Sequence, residues 1–112
     1  MALFSSDRPD RRSEPRRPAN TAGLIVAPQL EATCTIVDLS ETGMRVRLHR
    51  QTALPEAVVV IDLGKGVAHE ARVVRRQGLE AGLKRQGQVA LGGLVPARLA
   101  TARQAWLRAS GR

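Results

Sequence analysis

Two short stretches of the chain hold side chains suited to recognition, one offering cationic donors for an anion and the other acceptor oxygens. The first is Arg11-Arg12-Ser13-Glu14-Pro15-Arg16-Arg17, four arginines around a proline, just ahead of the first apolar run. A guanidinium is a planar fork of N–H donors that grips a phosphate or a guanine edge through two bonds at once. The second is Asp38-Leu39-Ser40-Glu41-Thr42-Gly43. It gathers a carboxylate, a hydroxyl and a glycine into one tight connection, with Gly43 expected to take φ > 0. Each stretch also has an ordinary reading. The arginines suit a solvated arm, and Asp38 and Ser40 suit a turn that bonds to its own backbone.

Other reactive residue types are sparse. His49 and His69 lie far apart in sequence, and each is expected on the exposed side of a strand. Cys34 is the single cysteine and sits in a β-branched run, so it reads as a small buried hydrophobe with no internal disulfide to make. There is no HExxH, no phosphate-cradling glycine loop and no metal-ligand cluster, and Gly64-Lys65-Gly66 reads as a hairpin turn. No enzyme, metal or cofactor is expected.

The bulk numbers fit a small binding domain. With 112 residues the chain is one ordinary domain, and its net charge of +8 is carried mostly by arginine, which points to an anionic partner. Phe4 and Trp106 are the only aromatic residues, so the core must be Val, Leu, Ile and Ala. The same scarcity argues against a nucleic-acid-binding barrel, which offers aromatic faces for base stacking. The N-terminal residues lack a basic segment followed by an apolar one, and no apolar run has the length of a membrane span, so a cytoplasmic protein is expected.

These residues need elements to hold them. Residues 1–18, with three prolines and no periodicity, read as a flexible arginine-rich arm, and residues 19–112 as the folded domain. Gly23-Leu24-Ile25-Val26 and Thr33-Cys34-Thr35-Ile36-Val37 read as strands. Met44-Arg45-Val46-Arg47-Leu48-His49 alternates, with Met44, Val46 and Leu48 inward and Arg45, Arg47 and His49 outward. The outward arginines suit a solvated face or a phosphate contact. Residues 57–63 and 67–76 form a hairpin around Gly64-Lys65-Gly66. Residues 77–87 read as a Gly- and Gln-rich loop and 88–95 as a last strand whose glycines signal a bulge or a close backbone approach. Pro96 opens a helix with Leu99, Ala102, Trp106 and Leu107 along its apolar stripe. About six short strands and one terminal helix make an antiparallel barrel or sandwich with a helix packed on it.

Arg12-x-x-x-Arg16, a first strand, then Asp38-x-Ser40-x-x-Gly43 resembles the PilZ domain, whose signature is RxxxR followed by [D/N]xSxxG. The alternating strand after the glycine, the hairpin ending in Arg72-Val73-Val74-Arg75 and the late Leu-Gly strand before a helix are similar too, over roughly residues 11–109. The resemblance implies an all-β fold: a six-stranded antiparallel β-barrel with a C-terminal helix and a flexible N-terminal arm. It also implies a receptor for the bacterial second messenger cyclic di-GMP. Arg12 and Arg16 would be the clamp, and Asp38, Ser40 and Gly43 the platform. Arg11, directly before the motif, would go with an intercalated ligand dimer. A downstream protein partner is implied, because the domain has no output module of its own. The alternatives are a PilZ-like adaptor that works by protein contacts without nucleotide, and a basic nucleic-acid binder. One departure is that Leu91-Gly92-Gly93-Leu94-Val95 has no aromatic where a glycine–aromatic pair is expected.

Overall fold

The computed structural model describes residues 17–110, with side chains over 19–110. Six strands run in chain order: β1 Arg17–Ala27, β2 Leu30–Leu39, β3 Gly43–Leu48, β4 Ala57–Asp62, β5 Val67–Gln77 and β6 Glu80–Ala90. A single 3-10 turn, Ala97–Leu99, leads into α1, Ala100–Ala109. All neighbouring strands are antiparallel, and the order β1-β2-β3-β6-β5-β4 returns to β1, closing a barrel. Closure pairs the strand edges that a small all-β domain would otherwise have to shield.

Two apolar layers hold the barrel. Ile25, Cys34, Ile36, Met44, Val46, Leu48, Val60 and Leu83 fill its interior. Leu24, Val26, Ile61, Ala68 and Leu91 face outward and are covered by Ala102, Ala105 and Trp106 of α1. Strands β1 and β4 are therefore apolar on both faces. That is why Leu24-Ile25-Val26 and Val58-Val59-Val60-Ile61 read as unbroken apolar runs, whereas β3 alternates. Met44, Val46 and Leu48 point inward as the alternation requires.

The turns obey local chemistry. Pro28-Gln29 joins β1 to β2, with Gln29 at φ 60, as a turn with proline second and a left-handed third residue demands. The β4–β5 hairpin closes with Lys65 N–H donating to Asp62 Oδ1 at 3.1 Å and with Gly66 at φ 66.

Several elements differ from expectation. Strand β1 starts at Arg17, so the expected arm boundary at residue 18 falls inside it. Residues 80–87 are strand, not loop: β6 spans Glu80–Ala90 because Glu80–Lys84 pairs with β3 and nearly its whole length pairs with β5. The β5–β6 connection is only Gly78-Leu79, with Gly78 at φ 59. Gly92 and Gly93 lie beyond the strand, and a Cβ on either would meet nothing within 4 Å, so no close approach explains them. The helix uses Leu99, Ala102 and Ala105 as its buried face, with Trp106 half-buried beside them.

Candidate ligand-binding site

Strand β2 carries Asp38 to the rim of the barrel, and both of its ladders become irregular there. Against β3, Ile36 faces Val46 and the next pair is Asp38 with Arg45, so Val37 is an extra residue. Against β1, Thr21 faces Ile36 and the next pair is Pro18 with Asp38. Asn20, inside this second irregularity, takes φ 47. A bulge leaves a residue unpaired, bends the strand and re-aims the side chains beyond it. Here it brings Asp38 level with Arg45, and Arg45 Nη2 meets Asp38 Oδ2 at 2.9 Å. Asp38 is buried, with 8% of its surface exposed, so the charge partner offsets the loss of water around the carboxylate.

The connection that follows closes on itself. Ser40 N–H donates to Gly43 O at 2.8 Å. Gly43 N–H donates to Ser40 Oγ at 3.1 Å, and the hydroxyl donates back to Gly43 O at 3.2 Å. The ordinary reading of Ser40 as a turn residue therefore holds, while Asp38 reaches a side chain on the next strand. Gly43 does not take φ > 0; among the described residues the glycines that do are Gly66 and Gly78. Nor does packing require a glycine at 43. A Cβ there would meet Leu83 O at 3.4 Å and Ser40 Oγ at 3.6 Å, ordinary contacts.

The outward row of β3 is paired. Arg47 Nη2 donates to Glu80 Oε2 at 2.9 Å, and Arg45 Nη1 lies 3.9 Å from Glu80 Oε1. The Arg47 hydrogen bond holds the Glu80 carboxyl below its ordinary range. Exposed pairs like these contribute about 0–1 kcal/mol each, so they orient side chains more than they stabilise the barrel. His49 is exposed as expected and lies 3.1 Å from Thr33 Oγ1 and 3.0 Å from Thr35 Oγ1.

At two residues near the rim the structure departs from the sequence reading. His69 is buried at 3% exposure, not exposed, because its partner across the ladder is Val60, a core residue facing the barrel interior. Burial first, then the Arg85 charge, pushes its pKa below the usual value. Arg85 sits in the stretch expected as a loop. Its Nη1 donates to Ser40 O at 2.6 Å and Glu41 O at 2.8 Å, and its backbone N–H donates to Thr42 O at 2.8 Å. The signal for it was the alternation Ala81, Leu83, Arg85, which puts all three on the inward face once 80–87 is taken as strand.

A cavity of about 450 Å³ lies elsewhere, between the β1–β2 turn, β4, β5 and α1, beside the Glu70–Arg98 pair. It includes none of Asp38, Ser40 or Gly43. Its polar lining residues are Gln29, Gln86, Thr101 and the Glu70–Arg98 pair, whose charges are already directed at each other, so the rim, which carries the sequence motif, is the stronger candidate.

Arg11, Arg12 and Arg16 lie outside the described residues. What is described is the chain that follows them: Arg17 faces Leu39 and Pro18 faces Asp38. Among the described residues, no helix is long and apolar enough to cross a membrane. No curated protein matches the chain. A family profile, the PilZ domain, matches residues 10–92, a span that holds both arginine and aspartate motifs and all six strands. With that match, on a closed six-stranded antiparallel barrel capped by one helix, the chain belongs to the PilZ domain family, a family of cyclic di-GMP receptors and adaptors.

Proposed function

We propose that this chain is a non-catalytic cyclic di-GMP receptor whose site lies at the Asp38 rim. The observation that carries the reading is the register of β1 on β2. Pro18 faces Asp38, so the chain leaving Arg12-x-x-x-Arg16 enters the barrel directly opposite the aspartate of the second motif. Gly43 adds support. Neither its backbone angle nor its packing within the described residues calls for glycine, and close approach by a ligand would.

The chemistry suits a ligand with two guanines and two phosphodiesters. Arg12 and Arg16 can each fork onto guanine O6 and N7 or bridge a phosphate. Asp38 can accept from the guanine N1–H and N2 amino group. Ser40 holds the connection closed, and Gly43 leaves the backbone bare for a base. Arg11 adds a cation for a second ligand molecule, so the ligand binds as an intercalated dimer. The arm ahead of β1 folds over the ligand on binding, and a downstream protein reads the change, in the cytoplasm.

Calorimetric titration of cyclic di-GMP at moderate salt, with GTP as control, tests this. Saturable binding, two ligands per chain, and sharp weakening in Arg12→Ala, Arg16→Ala and Asp38→Ala with the fold intact are expected. Saturation at one ligand removes the dimer and Arg11's role. No binding by the unmodified chain sinks the receptor reading and leaves an adaptor that works by protein contacts.

A further inference from the structure

We infer that Arg85 is the positioning residue of this site: it sets the shape of the Ser40–Gly43 connection that the ligand meets. The inference rests on the receptor reading above.

Arg85 takes three consecutive carbonyls of the connection. Its Nη1 donates to Ser40 O at 2.6 Å and to Glu41 O at 2.8 Å, and its backbone N–H donates to Thr42 O at 2.8 Å. The other arm of the guanidinium, Nη2, donates to Gln88 Oε1, which anchors the fork to its own strand. A peptide unit is planar and trans, so a carbonyl turned toward Arg85 turns the next N–H the opposite way. Holding the Ser40 and Glu41 carbonyls beneath the rim has two effects. It fixes the tilt of both peptide planes beside Asp38. It also keeps two electronegative oxygens off the surface that a phosphodiester would approach.

The residue type fits this role better than a packing role. Ala81 and Leu83 fill the inward face of β6, and the series turns to a cation where the strand passes under the connection. Arg85 Nε is buried with no hydrogen-bond partner among the described residues. A buried, unpaired donor is unfavourable. It is tolerated here while both Nη groups are directed at fixed acceptors.

The test compares the full chain with Arg85→Ala and Arg85→Lys in three measurements: cyclic di-GMP affinity, melting temperature and amide hydrogen exchange. Arg85→Ala should bind roughly tenfold more weakly or worse. Exchange at Glu41, Thr42 and Gly43 should speed up, while Val60 and Ile61 in β4 stay protected. Arg85→Lys keeps the charge and serves where the alanine variant fails to fold. A single ammonium cannot reach both carbonyls and Gln88 as the fork does, so a several-fold loss is expected. Wild-type affinity in either folded variant overturns the inference while the receptor reading stands. Protection lost equally at the rim and in β4 overturns it as well, since that marks a general stability effect. Failure of the unmodified chain to bind cyclic di-GMP overturns the receptor reading and this inference together.

Discussion

Asp38 and Arg45 are cross-strand partners at the barrel rim, and Arg45 Nη2 lies 2.9 Å from Asp38 Oδ2. The pair exists because Val37 is bulged, which shifts an inward-running strand by one residue just before it ends. A carboxylate has room for several donors, so the Arg45 contact is compatible with the ligand contact proposed for Asp38. Arg45 thus orients Asp38 and, in the proposed site, would add positive charge beside the dianionic ligand. Arg47, two residues on, is directed at Glu80 instead.

Arg45→Ala should therefore weaken cyclic di-GMP binding by roughly tenfold, the scale of one lost charged hydrogen bond. Arg47→Ala removes the same charge from the same strand and should leave affinity within about twofold. Titration of both variants decides the matter. Equal losses would mean that the strand's charge acts at a distance and that the Asp38 contact has no special part.

Trp106 rests on the β4–β5 hairpin. A Cβ at Gly66 would lie 2.8 Å from Trp106 Cζ2, and Gly66 already sits at φ 66. Gly66→Ala meets both a left-handed backbone and a clash, and should cost about 2–4 kcal/mol in urea unfolding. Gly78, at φ 59 with nothing within 4 Å of its Cβ position, isolates the backbone part. Gly78→Ala should cost about 1 kcal/mol. Identical losses would show that α1 moves aside freely and does not lock the hairpin.

The legible parts of the fold were those where burial imposes a period. Met44-Arg45-Val46-Arg47-Leu48 announced a strand with one wet face, and Gly64-Lys65-Gly66 announced its turn. The illegible parts are strands made by their neighbours. Arg17–Thr21 has no alternation and is strand because Ile36–Leu39 of β2 lies beside it. Lys84–Gln88 is polar and exposed for most of its length and is strand because β5 pairs with it. Strand preference in such segments follows context more than residue type. Of the site, Asp38, Ser40 and Gly43 were legible as a motif. The Val37 bulge and the reach of Arg85 were not, because both depend on register between strands distant in sequence.

Cys34 lies on the interior face of β2 with none of its surface exposed, against Ile36 and the Cβ position of Gly23. Burial pushes its thiol up to about 12. The thiolate is the reactive form, so the folded chain should not react with a disulfide reagent at pH 8. Labelling should follow the unfolding rate, rising with urea as the barrel opens. Fast labelling in the absence of denaturant would show that β2 separates from β1 without global unfolding.

His69 gives stability a pH dependence whose sign is determined by its surroundings. Burial and the charges of Arg85 and Lys65 oppose its protonation, and Asp62 favours it; the net effect is a folded pKa below the ordinary 6.5. Above pH 6.5 the imidazole is neutral in both states, so the contribution is fully present and flat. As pH falls below that value the unfolded chain binds a proton first, and stability is lost until the lowered folded pKa is passed. The melting temperature should hold steady from pH 8 to 7 and fall toward pH 5. His69→Gln, which cannot titrate, should fall less over the same range. Carboxylates that titrate near the bottom of the window act on both proteins alike, so the difference between them isolates the imidazole. Parallel curves would mean that His69 takes up its proton in the folded barrel as readily as in water. The buried histidine would then have to accommodate a second cation beside Arg85, beneath the very turn that Arg85 holds.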